Sequence, residues 1–449
     1  MIVKRLKREI VLMAAVICML PSIMLKAQDT LVVSLPKAIE IAMSKSPTIK
    51  VADKEILRVD YSKKEKFAAL FPSISVSGAY QRALKKQRMF FSIPGFPANP
   101  DGFEVGQDNT YNLGLSASMP IVSPTLWAAL KMTETDAQLA LENARSSKQA
   151  LINQISKSYY AILLTQDSYN VIKRSFEITA ENARIIQNKY KQGTVSEFEW
   201  IRADVQVKNA SSNLVSAQSA VNMSILQLKI LMGIDMFTGL KVEGSLADFE
   251  SKMYGDVLSI DTTTLKSNSD LMQFDLKTKQ LNHALKIQKA AWWPTLAASF
   301  NYAYMSMGND GDAMKWFPNS TAALSLSIPV FQGGSRLFKQ KQLEIQMNEM
   351  KDQRDNLRHS LEFQVITCLD NIKKAMEKIA SNKEGLRQAE KGVTISKKMY
   401  EIGTSTFLDF SNSQLAYVSA GLMYNQSIFD YLSAKSDLEK LLGNDSLKK

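Results

Sequence analysis

The sequence predicts a mixed, mostly helical protein built from a duplicated unit, in which four β-strands per chain join a closed barrel and long helices form a coiled-coil barrel continuous with it. Three observations support this fold class. The chain contains an internal repeat, each half carries a pair of strands with alternating polarity, and each half contains a helical stretch too long for a compact domain.

The repeat is clearest in two segments that share the pattern Tyr-x-x-Gly-Thr, namely Lys189–Trp200 and Met399–Phe410, which lie 210 residues apart. Leu231–Asp235 matches Leu441–Asp445 at the same offset. Two earlier matches preserve the order with offsets changed by loop insertions: Leu115–Ile121 with Leu324–Val330, and Ala68–Ile74 with Ala290–Leu296. A long internal period of this kind defines the domain organisation. We predict a first repeat over residues 28–236, a linker over 237–264 and a second repeat over 265–449.

The first 27 residues have the layout of a secretory signal peptide, with a basic stretch from Lys4 to Arg8, an apolar run from Ile10 to Leu20 and the small residue Ala27 before the expected cleavage point. Lipidation of Cys18 is a weaker alternative because Ile17, not a small residue, precedes it. No later stretch approaches the twenty apolar residues of a membrane helix, so a membrane-spanning part would have to be built in another way.

Charge and chemistry-bearing residues argue against nucleic acid binding and against catalysis. The chain carries a formal charge of +11. The signal segment contains five cations and one acid and so accounts for +4 of this charge. The rest of the chain carries +7, and its Lys and Arg residues alternate with acidic residues along the predicted helices. The two histidines, His283 and His359, lack partners at metal-ligand spacing. Because no phosphate-binding loop, nucleophile elbow or paired-carboxylate site is present, we expect no enzyme, cofactor or metal site.

The predicted strands follow a helix from about Leu35 to Phe71. Polarity then alternates with period two at residues 73–80, 111–119, 295–304 and 322–328. One face of each strand is apolar, whereas the other carries almost only Ser, Asn, Thr, Ala and Gly, and aromatic residues cluster near the strand ends. This pattern is typical of transmembrane β-strands that face lipid on one side and a lumen on the other. Half-buried hairpins on a soluble core are the alternative, but their exposed faces would carry more Lys and Glu.

Long helices are predicted from about Pro124 to Tyr190 and from Gly334 to Tyr400, since these stretches contain almost no Gly or Pro after their first residues. Some 65 residues in a straight helix rise roughly 100 Å. Shorter helices return to about Met232 and Leu442 and carry heptad stripes that predict coiled-coil packing. Between the long and the returning helices, Gly193 and Gly403 supply helix stops, followed by capping-box spacings from Ser196 to Glu199 and from Thr406 to Asp409.

Four membrane strands cannot form a barrel alone, because the smallest single-chain barrels have about eight strands. Open strand edges are also excluded from lipid, where unpaired N–H and C=O groups cost several kcal/mol each. The strands must therefore close through copies of the same chain.

These features resemble the TolC-type outer-membrane efflux protein family over essentially the whole mature chain. The resemblance rests on the duplication, the four strands, Leu35-x-x-Ala38-Ile39 with Ser46-Pro47, and the two Tyr-x-x-Gly-Thr hairpins. It implies a homotrimer embedded in outer-membrane lipid, with a helical tunnel in the periplasm. It also implies that the channel receives cargo from an inner-membrane pump, of a class the sequence leaves open, through a periplasmic adaptor protein.

The resemblance further implies that adaptor tips dock near Gly193, Thr194, Gly403 and Thr404.

It also implies that acidic residues just beyond the turns line a closed tunnel tip, which here corresponds to Glu199 and Asp409. The family often has a second acidic residue where this chain has Asn412, and an arginine that latches the closed tip where it has Ser405. A role for Asp409 in helix capping alone is the other interpretation, and the two roles are compatible.

Two other functions remain open at this point. One is a secreted coiled-coil interaction protein without membrane strands, which would leave the serine-rich faces unexplained. The other is a periplasmic adaptor, although an adaptor should have β-rich segments flanking one hairpin, whereas this sequence has two hairpins that interrupt strand pairs.

Overall fold

A computed structural model describes residues 31–90, 101–250 and 265–443. The predicted signal peptide and the second part of the predicted linker lie outside these ranges. The chain divides into two compact units: unit 1 comprises residues 1–46, 152–259 and 371–436, and unit 2 comprises residues 47–151, 260–370 and 437–449.

The described elements follow one another as β1 Leu31–Val33, α1 Leu35–Lys45, α2 Pro47–Ala68, β2 Ser73–Arg82, β3 Gln87–Met89, β4 Phe103–Val105, β5 Asn109–Val122, α3 Pro124–Lys191, α4 Glu197–Met232, β6 Leu240–Val242, α5 Ala247–Glu250, α6 Ser269–Ala290, β7 Thr295–Gly308, β8 Trp316–Ser327, α7 Ser335–Glu401 and α8 Phe407–Leu441. The four predicted strands and both predicted helical hairpins are present. The long helices and the first three of these strands end within a few residues of their expected bounds, whereas β8 begins at Trp316, six residues before the predicted start at Ala322.

The first predicted helix is wrong in one respect, because it is not continuous from Leu35 to Phe71. Helix α1 ends at Lys45 and α2 begins at Pro47, while Ser46 between them has the extended-type ψ of 132°. A proline ring excludes the residue before it from helical backbone angles and supplies no N–H of its own. The Ser46-Pro47 pair therefore separates two helices, and α2 ends three residues before the predicted Phe71.

Unit 2 contains an antiparallel sheet of four strands in the order β2-β5-β7-β8. The register runs from Val76 on β2 to Leu115 on β5, then to Tyr302 on β7 and Ser320 on β8. A bulge between Pro120 and Val122 adds one residue to β5 and increases the local twist. Strands from the two repeats meet at β5 and β7, so β2 and β8 form the two edges of one sheet.

The helices of unit 2 are α2, α6 and the parts of α3 and α7 nearest the strands. Asp136 on α3 accepts hydrogen bonds from Lys66 at 3.3 Å and from Gln280 at 2.8 Å, which links three helices. Asn268 caps the N-terminus of α6 by accepting from the backbone N–H groups of residues 270 and 271. Its amide also donates to the carbonyl oxygen of Leu441 at 2.8 Å, so the last helix of the chain is anchored within this unit.

Unit 1 contains the two helical hairpins, formed by α3 with α4 and by α7 with α8. Most residues of the predicted heptad stripe of α8 are buried, namely Tyr417, Ser427, Tyr431, Ala434 and Leu438. On α4 the stripe residues Val221 and Leu228 are buried, whereas the others are half-buried. Helix α8 approaches α3 closely at Gly421, where an added Cβ would lie 2.9 Å from a methyl group of Val171. This confirms the prediction of closely packed coiled-coil neighbours.

A short segment over residues 238–250 also belongs to unit 1, and we call it the strap. Its strand β6 pairs in parallel with β1. The Tyr159 hydroxyl donates to the carbonyl oxygen of Glu243 at 2.6 Å, and Asp167 accepts from the N–H of Leu246 at 2.9 Å. Burial raises the pKa of Tyr159 to about 12 and also raises the pKa of Asp167. These contacts fix the strap against α3.

The strap ends in α5, where Glu250 accepts two hydrogen bonds from Lys383 at 2.9 and 3.0 Å and one from the Tyr424 hydroxyl at 2.9 Å. The strap therefore contacts α3, α7 and α8, which belong to both hairpins. The sequence predicted only a linker over residues 237–264, whereas its described part is an ordered, partly buried segment.

Candidate functional site

The four-stranded sheet has two chemically different faces. The register places apolar side chains opposite one another on one face; they are Ile74, Val76 and Tyr80 on β2, Tyr111, Leu113, Leu115 and Ala117 on β5, Phe300, Tyr302 and Tyr304 on β7, and Ala322, Leu324 and Leu326 on β8. Val76 and Leu324 are each 71% exposed in the single chain. An apolar face of this extent requires a non-aqueous environment or a partner.

The opposite face, which we call the hydroxyl face, is polar but uncharged. On β2 and β5, the hydroxyl oxygens of Ser73 and Ser118 lie 2.8 Å apart, as do those of Ser75 and Ser116. The register continues these rows onto β7 and β8 as Ser299, Asn301 and Thr321. At the paired positions of this face, the residues are Ser, Thr, Asn, Gln, Gly, Ala, Pro, Met and Phe, without an ionisable side chain. Alternation of lipid-facing and lumen-facing residues is the signature of membrane β-strands.

The two edges of the sheet can pair with one another in different copies of the chain. Within the described residues, β2 pairs only with β5 and β8 only with β7. Because all three ladders of the sheet are antiparallel, β2 and β8 run in opposite directions. Strand β8 of one copy would therefore meet β2 of the next as another antiparallel pair, and repetition closes a barrel without an open edge.

Aromatic residues mark both ends of the apolar face. Near the loops that follow β2 and β7, Tyr80 and Tyr111 stack with ring centroids 4.9 Å apart, and the ring of Trp316 lies 6.4 Å from that of Tyr111. Near the helices, Trp293 and Phe71 are exposed. Girdles of aromatic residues at both interfaces are typical of membrane barrels.

The hairpin of the first repeat turns at Gly193, which has a φ of +71°. The N–H of Gly193 donates to the carbonyl oxygen of Tyr190 at 2.8 Å, and the N–H of Thr194 donates to that of Lys189 at 2.9 Å. This is the Schellman arrangement that satisfies the last carbonyl groups of a helix. The Thr194 hydroxyl also donates to the Lys189 carbonyl oxygen at 2.9 Å, which explains a hydroxyl residue after the glycine.

The second repeat has the same turn at Gly403, with a φ of +80°. Gly403 donates to the Tyr400 carbonyl oxygen at 3.1 Å and Thr404 donates to that of Met399 at 2.9 Å. The tyrosine of each motif also stacks on an aromatic residue of the returning helix. Tyr190 lies on Trp200 at 5.3 Å between ring centroids, and Tyr400 on Phe410 at 6.0 Å, with interplanar angles of 4° and 5°.

The helix starts after the two turns differ in their caps. In the second repeat the Thr406 hydroxyl accepts from the N–H of Asp409 at 3.1 Å, while Asp409 accepts from the N–H of Thr406 at 3.0 Å, which completes a capping box. The Thr406 and Ser405 hydroxyls also donate to the same Asp409 oxygen, at 2.6 and 3.1 Å. These donors lower the pKa of Asp409, with the Thr406 hydroxyl making the largest contribution.

In the first repeat the Ser196 hydroxyl accepts from the N–H of Glu199 at 3.3 Å. Glu199 is half-buried, whereas Asp409 and Asn412 are exposed. The Ser405 hydroxyl donates to Asp409 and so forms part of its cap. The predicted tip residues thus divide into those that shape the turns and those that begin the returning helices.

Contacts between the two returning helices near these turns could not be recognised in the sequence. The Arg202 guanidinium on α4 lies 4.7 Å from the ring centroid of Phe407 on α8. The Gln206 amide donates to the Ser411 hydroxyl at 3.3 Å. Ile186, Ala203 and Phe407 form a small buried cluster at the same place. Arg202 and Gln206 are separated by one helical turn, as neighbours on any helix face are. The sequence contains no signal that pairs them with residues of the other repeat.

Neither a metal site nor a membrane helix is found in the described residues. In ranges 31–90, 101–250 and 265–443, no group of three or more His, Cys, Asp or Glu side chains is placed to hold a metal ion. Over the same ranges, every helix is too short or too polar to cross a membrane.

An amphipathic sheet with open edges, joined in one chain to two capped helical hairpins, defines the fold of outer-membrane efflux channels. A family model described as outer membrane efflux protein matches residues 38–234 and 262–444. The chain belongs to this family, which confirms the resemblance inferred from the sequence.

Relatives of known name agree with this assignment. The chain is 20% identical over 423 residues to the alkaline protease secretion protein AprF of Pseudomonas aeruginosa, covering 94% of this chain and 86% of that protein. It is 20% identical over 347 residues to the outer membrane protein TolC of Escherichia coli, covering 75% of this chain and 70% of that protein.

Solved structures of the same fold include the Campylobacter jejuni outer membrane channel CmeC. It superimposes with a TM-score of 0.72 at 17% identity, over 91% of this chain and 85% of that one. The Vibrio cholerae outer membrane protein VceC superimposes with a TM-score of 0.69 at 13% identity, over 91% of this chain and 96% of that one.

The two faces of the sheet predict opposite responses to a cation. Leu115→Arg, on the apolar face, should sharply reduce the amount of protein inserted in the outer membrane, because an Arg at the bilayer midplane costs roughly 2–4 kcal/mol in every copy. Ser116→Arg, one residue away on the hydroxyl face, is the matched control and should insert nearly as well as the unchanged protein. Quantitative immunoblots of membrane fractions measure the difference, and equal losses in both variants would contradict the assignment of the faces.

Proposed function

We propose that this chain is the outer-membrane channel of a tripartite efflux or secretion system, which passes cargo from an inner-membrane pump and a periplasmic adaptor to the outside. The observation that carries this proposal is the sheet, whose apolar face is exposed, whose opposite face is uncharged and hydroxyl-rich, and whose edges β2 and β8 are complementary in direction. We assign no catalytic role and no cofactor to the chain.

Closure of the barrel through identical copies supports a homotrimer. Four strands per chain give an even strand number for any number of copies. One chain has too few strands to close, and the family resemblance favours three copies. A secreted coiled-coil or adaptor protein is the competing function, but it offers no reason for an exposed apolar sheet face opposite an uncharged one.

Membrane fractionation tests the proposal directly. We expect the protein in the outer membrane, from which detergent should extract it as an oligomer with three times the mass of one mature chain. Light scattering coupled to size-exclusion chromatography measures that mass after subtraction of the bound detergent. A monomer that stays in solution without detergent would instead identify a soluble coiled-coil protein.

The two Schellman turns are the proposed docking sites for the adaptor. Gly193, Thr194, Gly403 and Thr404 are all exposed, so the turns present backbone and small side chains to a partner. Space around both glycines is open, since an added Cβ would have no atom within 4 Å at either position. The left-handed backbone, not crowding, therefore explains why glycine occupies these positions.

Valine at both turn glycines should reduce adaptor binding while the oligomer remains in the membrane. A β-branched residue is strained by 1–3 kcal/mol or more at positive φ, so Gly193→Val with Gly403→Val should reshape both turns. Crosslinking in cells followed by co-purification measures the bound adaptor. The matched control is Gly385→Val on α7, where the glycine is exposed, has open space and lies in regular helix. Undiminished adaptor recovery in the double variant would exclude these turns as the contact.

Asp409 is the proposed principal gate residue. Glu199, at the equivalent position of the first repeat, and Asn412, three residues after Asp409, are proposed as further residues of the gate. Under the proposed three-fold symmetry, three copies of Asp409 surround the axis at the narrow end of the tunnel. A ring of carboxylates in a constriction attracts cations. Since hydrogen-bond donors lower the pKa of Asp409, the carboxylate stays ionised at neutral pH.

The family resemblance implies an arginine latch at the position where this chain has Ser405. Contacts between α4 and α8 support a closed-state lock of a different kind. In this chain the Arg202 guanidinium over the Phe407 ring and the Gln206–Ser411 hydrogen bond join the two returning helices beside the cap. We propose that these contacts hold the tip closed and must separate when it opens.

Two substitutions separate the gate from the cap. Asp409→Asn keeps an oxygen acceptor of similar shape but removes the charge, so we expect lower cation selectivity in planar bilayers. Thermal stability should fall slightly, because the donors around Asp409 favour the ionised carboxylate. Thr406→Ala keeps the carboxylate but removes the N-cap hydroxyl, which should cost about 1 kcal/mol and leave selectivity unchanged. Reversal potentials in a salt gradient and thermal denaturation in detergent measure the two effects. If Asp409→Asn lowers stability alone, Asp409 caps its helix and does not contribute to the gate.

A further inference from the structure

The hydroxyl face changes its chemistry at the end of the sheet farthest from the helices. Met305 and Met307 on β7 and Phe317 on β8 occupy positions of this face, as their register with Asn112 and Thr110 of β5 requires. We call these three residues the apolar collar. It adjoins the loops that follow β2 and β7, which on the proposed function open to the outside of the cell.

The collar contrasts with the remainder of the same face. Below it the paired positions carry only Ser, Thr, Asn, Gly, Ala and Pro. Met307 is 50% exposed and Phe317 is 64% exposed in the single chain, so two of the three large apolar side chains of the collar are accessible to solvent. Alternation in the strands fixes this orientation, because the neighbouring residues Ser306 and Trp316 lie on the opposite face.

The closed barrel limits what can cover the collar. In such a barrel lipid would contact the outer face, and neighbouring copies would pair through the strand edges β2 and β8. The inside of the barrel is reached by water and by solutes that pass through the channel, which on the proposed function are the exported cargo. This step rests on the proposed function, because it requires the hydroxyl face to line the lumen.

We propose that the apolar collar is a binding site for an uncharged aromatic or alkyl part of an exported organic molecule. Thioether side chains are flexible and polarizable and accommodate apolar groups of different shape, and the Phe317 ring offers a surface for stacking. The collar residues and their strand partners carry no ionisable side chain, so the contact surface that the collar offers is apolar. Each copy in the barrel contributes one such set.

Photolabelling of the oligomer in lipid nanodiscs tests this site. The probe is 4-azidophenyl β-D-glucoside, whose sugar keeps it in water while its aryl group can enter an apolar site. We expect adducts concentrated in the tryptic peptides 290–315, which contains both methionines, and 316–336, which contains Phe317. An excess of 2-naphthyl β-D-glucoside should suppress them, whereas the same excess of glucose should not.

Substitutions identify the residues responsible. Changing Met305, Met307 and Phe317 to Ser, the commonest residue of this face, should reduce labelling of both peptides by roughly tenfold, as expected for the loss of about 50 Å² of apolar contact. The single variant Phe317→Ser should reduce it by a smaller factor, and supplies the test if the triple variant does not assemble. Met305→Leu with Met307→Leu should retain labelling, because the apolar surface remains.

Asn319→Ser is the matched control, since it alters the next position of the same face on β8 without changing apolar area. Equal labelling of the unchanged protein and of Phe317→Ser would overturn the proposal, as would equal suppression by glucose. Failure of the proposed function is distinguished separately, because the unchanged protein would then lack an oligomer in the outer membrane.

Discussion

The rest of the structure depends on the pairing of backbone groups at the two edges of one four-stranded sheet. In lipid, each N–H or C=O group without a partner costs several kcal/mol, and β2 and β8 each present a row of them. The duplication makes β2 equivalent to β7 and β5 equivalent to β8, so the two edges are the first strand of the first repeat and the second strand of the second repeat. The antiparallel order gives these edges opposite directions. One chain therefore carries both complementary strand edges, and each edge can pair only with the other edge of a neighbouring copy.

Backbone groups at the helix ends of the two hairpins also need hydrogen-bond partners. Each Tyr-x-x-Gly-Thr motif satisfies the last carbonyl groups of a long helix through a Schellman turn, and each returning helix begins at a hydroxyl cap. The two repeats differ in the bonds made by the acidic residue. Asp409 accepts from the N–H of Thr406, whereas the reciprocal bond is absent from the described contacts of Glu199. Because backbone hydrogen bonds form the same turn in both repeats, the side chains after the turn can take different roles.

Much of the fold could be predicted because its signals are local. Strand faces follow from alternation, the long helices from the lack of Gly and Pro, and the turns from Gly193 and Gly403 with their caps. The break at Ser46-Pro47 was local too, but the helical periodicity on both sides outweighed the proline. Strands β1 and β6 could not be recognised, because three residues are too few to show a period and their partner is distant in sequence. For the same reason, neither the pairing of Arg202 with Phe407 nor the position of Phe317 relative to Met305 could be derived before the register was known.

The parallel pairing of β1 with β6 has a consequence for the order of folding. Leu31 pairs with Leu240, so closing this ladder joins residues about two hundred positions apart, and loop-closure entropy slows such contacts relative to local ones. The first hairpin, by contrast, needs only neighbouring residues on either side of Gly193. We therefore expect β1 to pair with β6 after the first hairpin has formed. Formation of the β1–β6 ladder would then complete unit 1 only when the whole first repeat is available to fold.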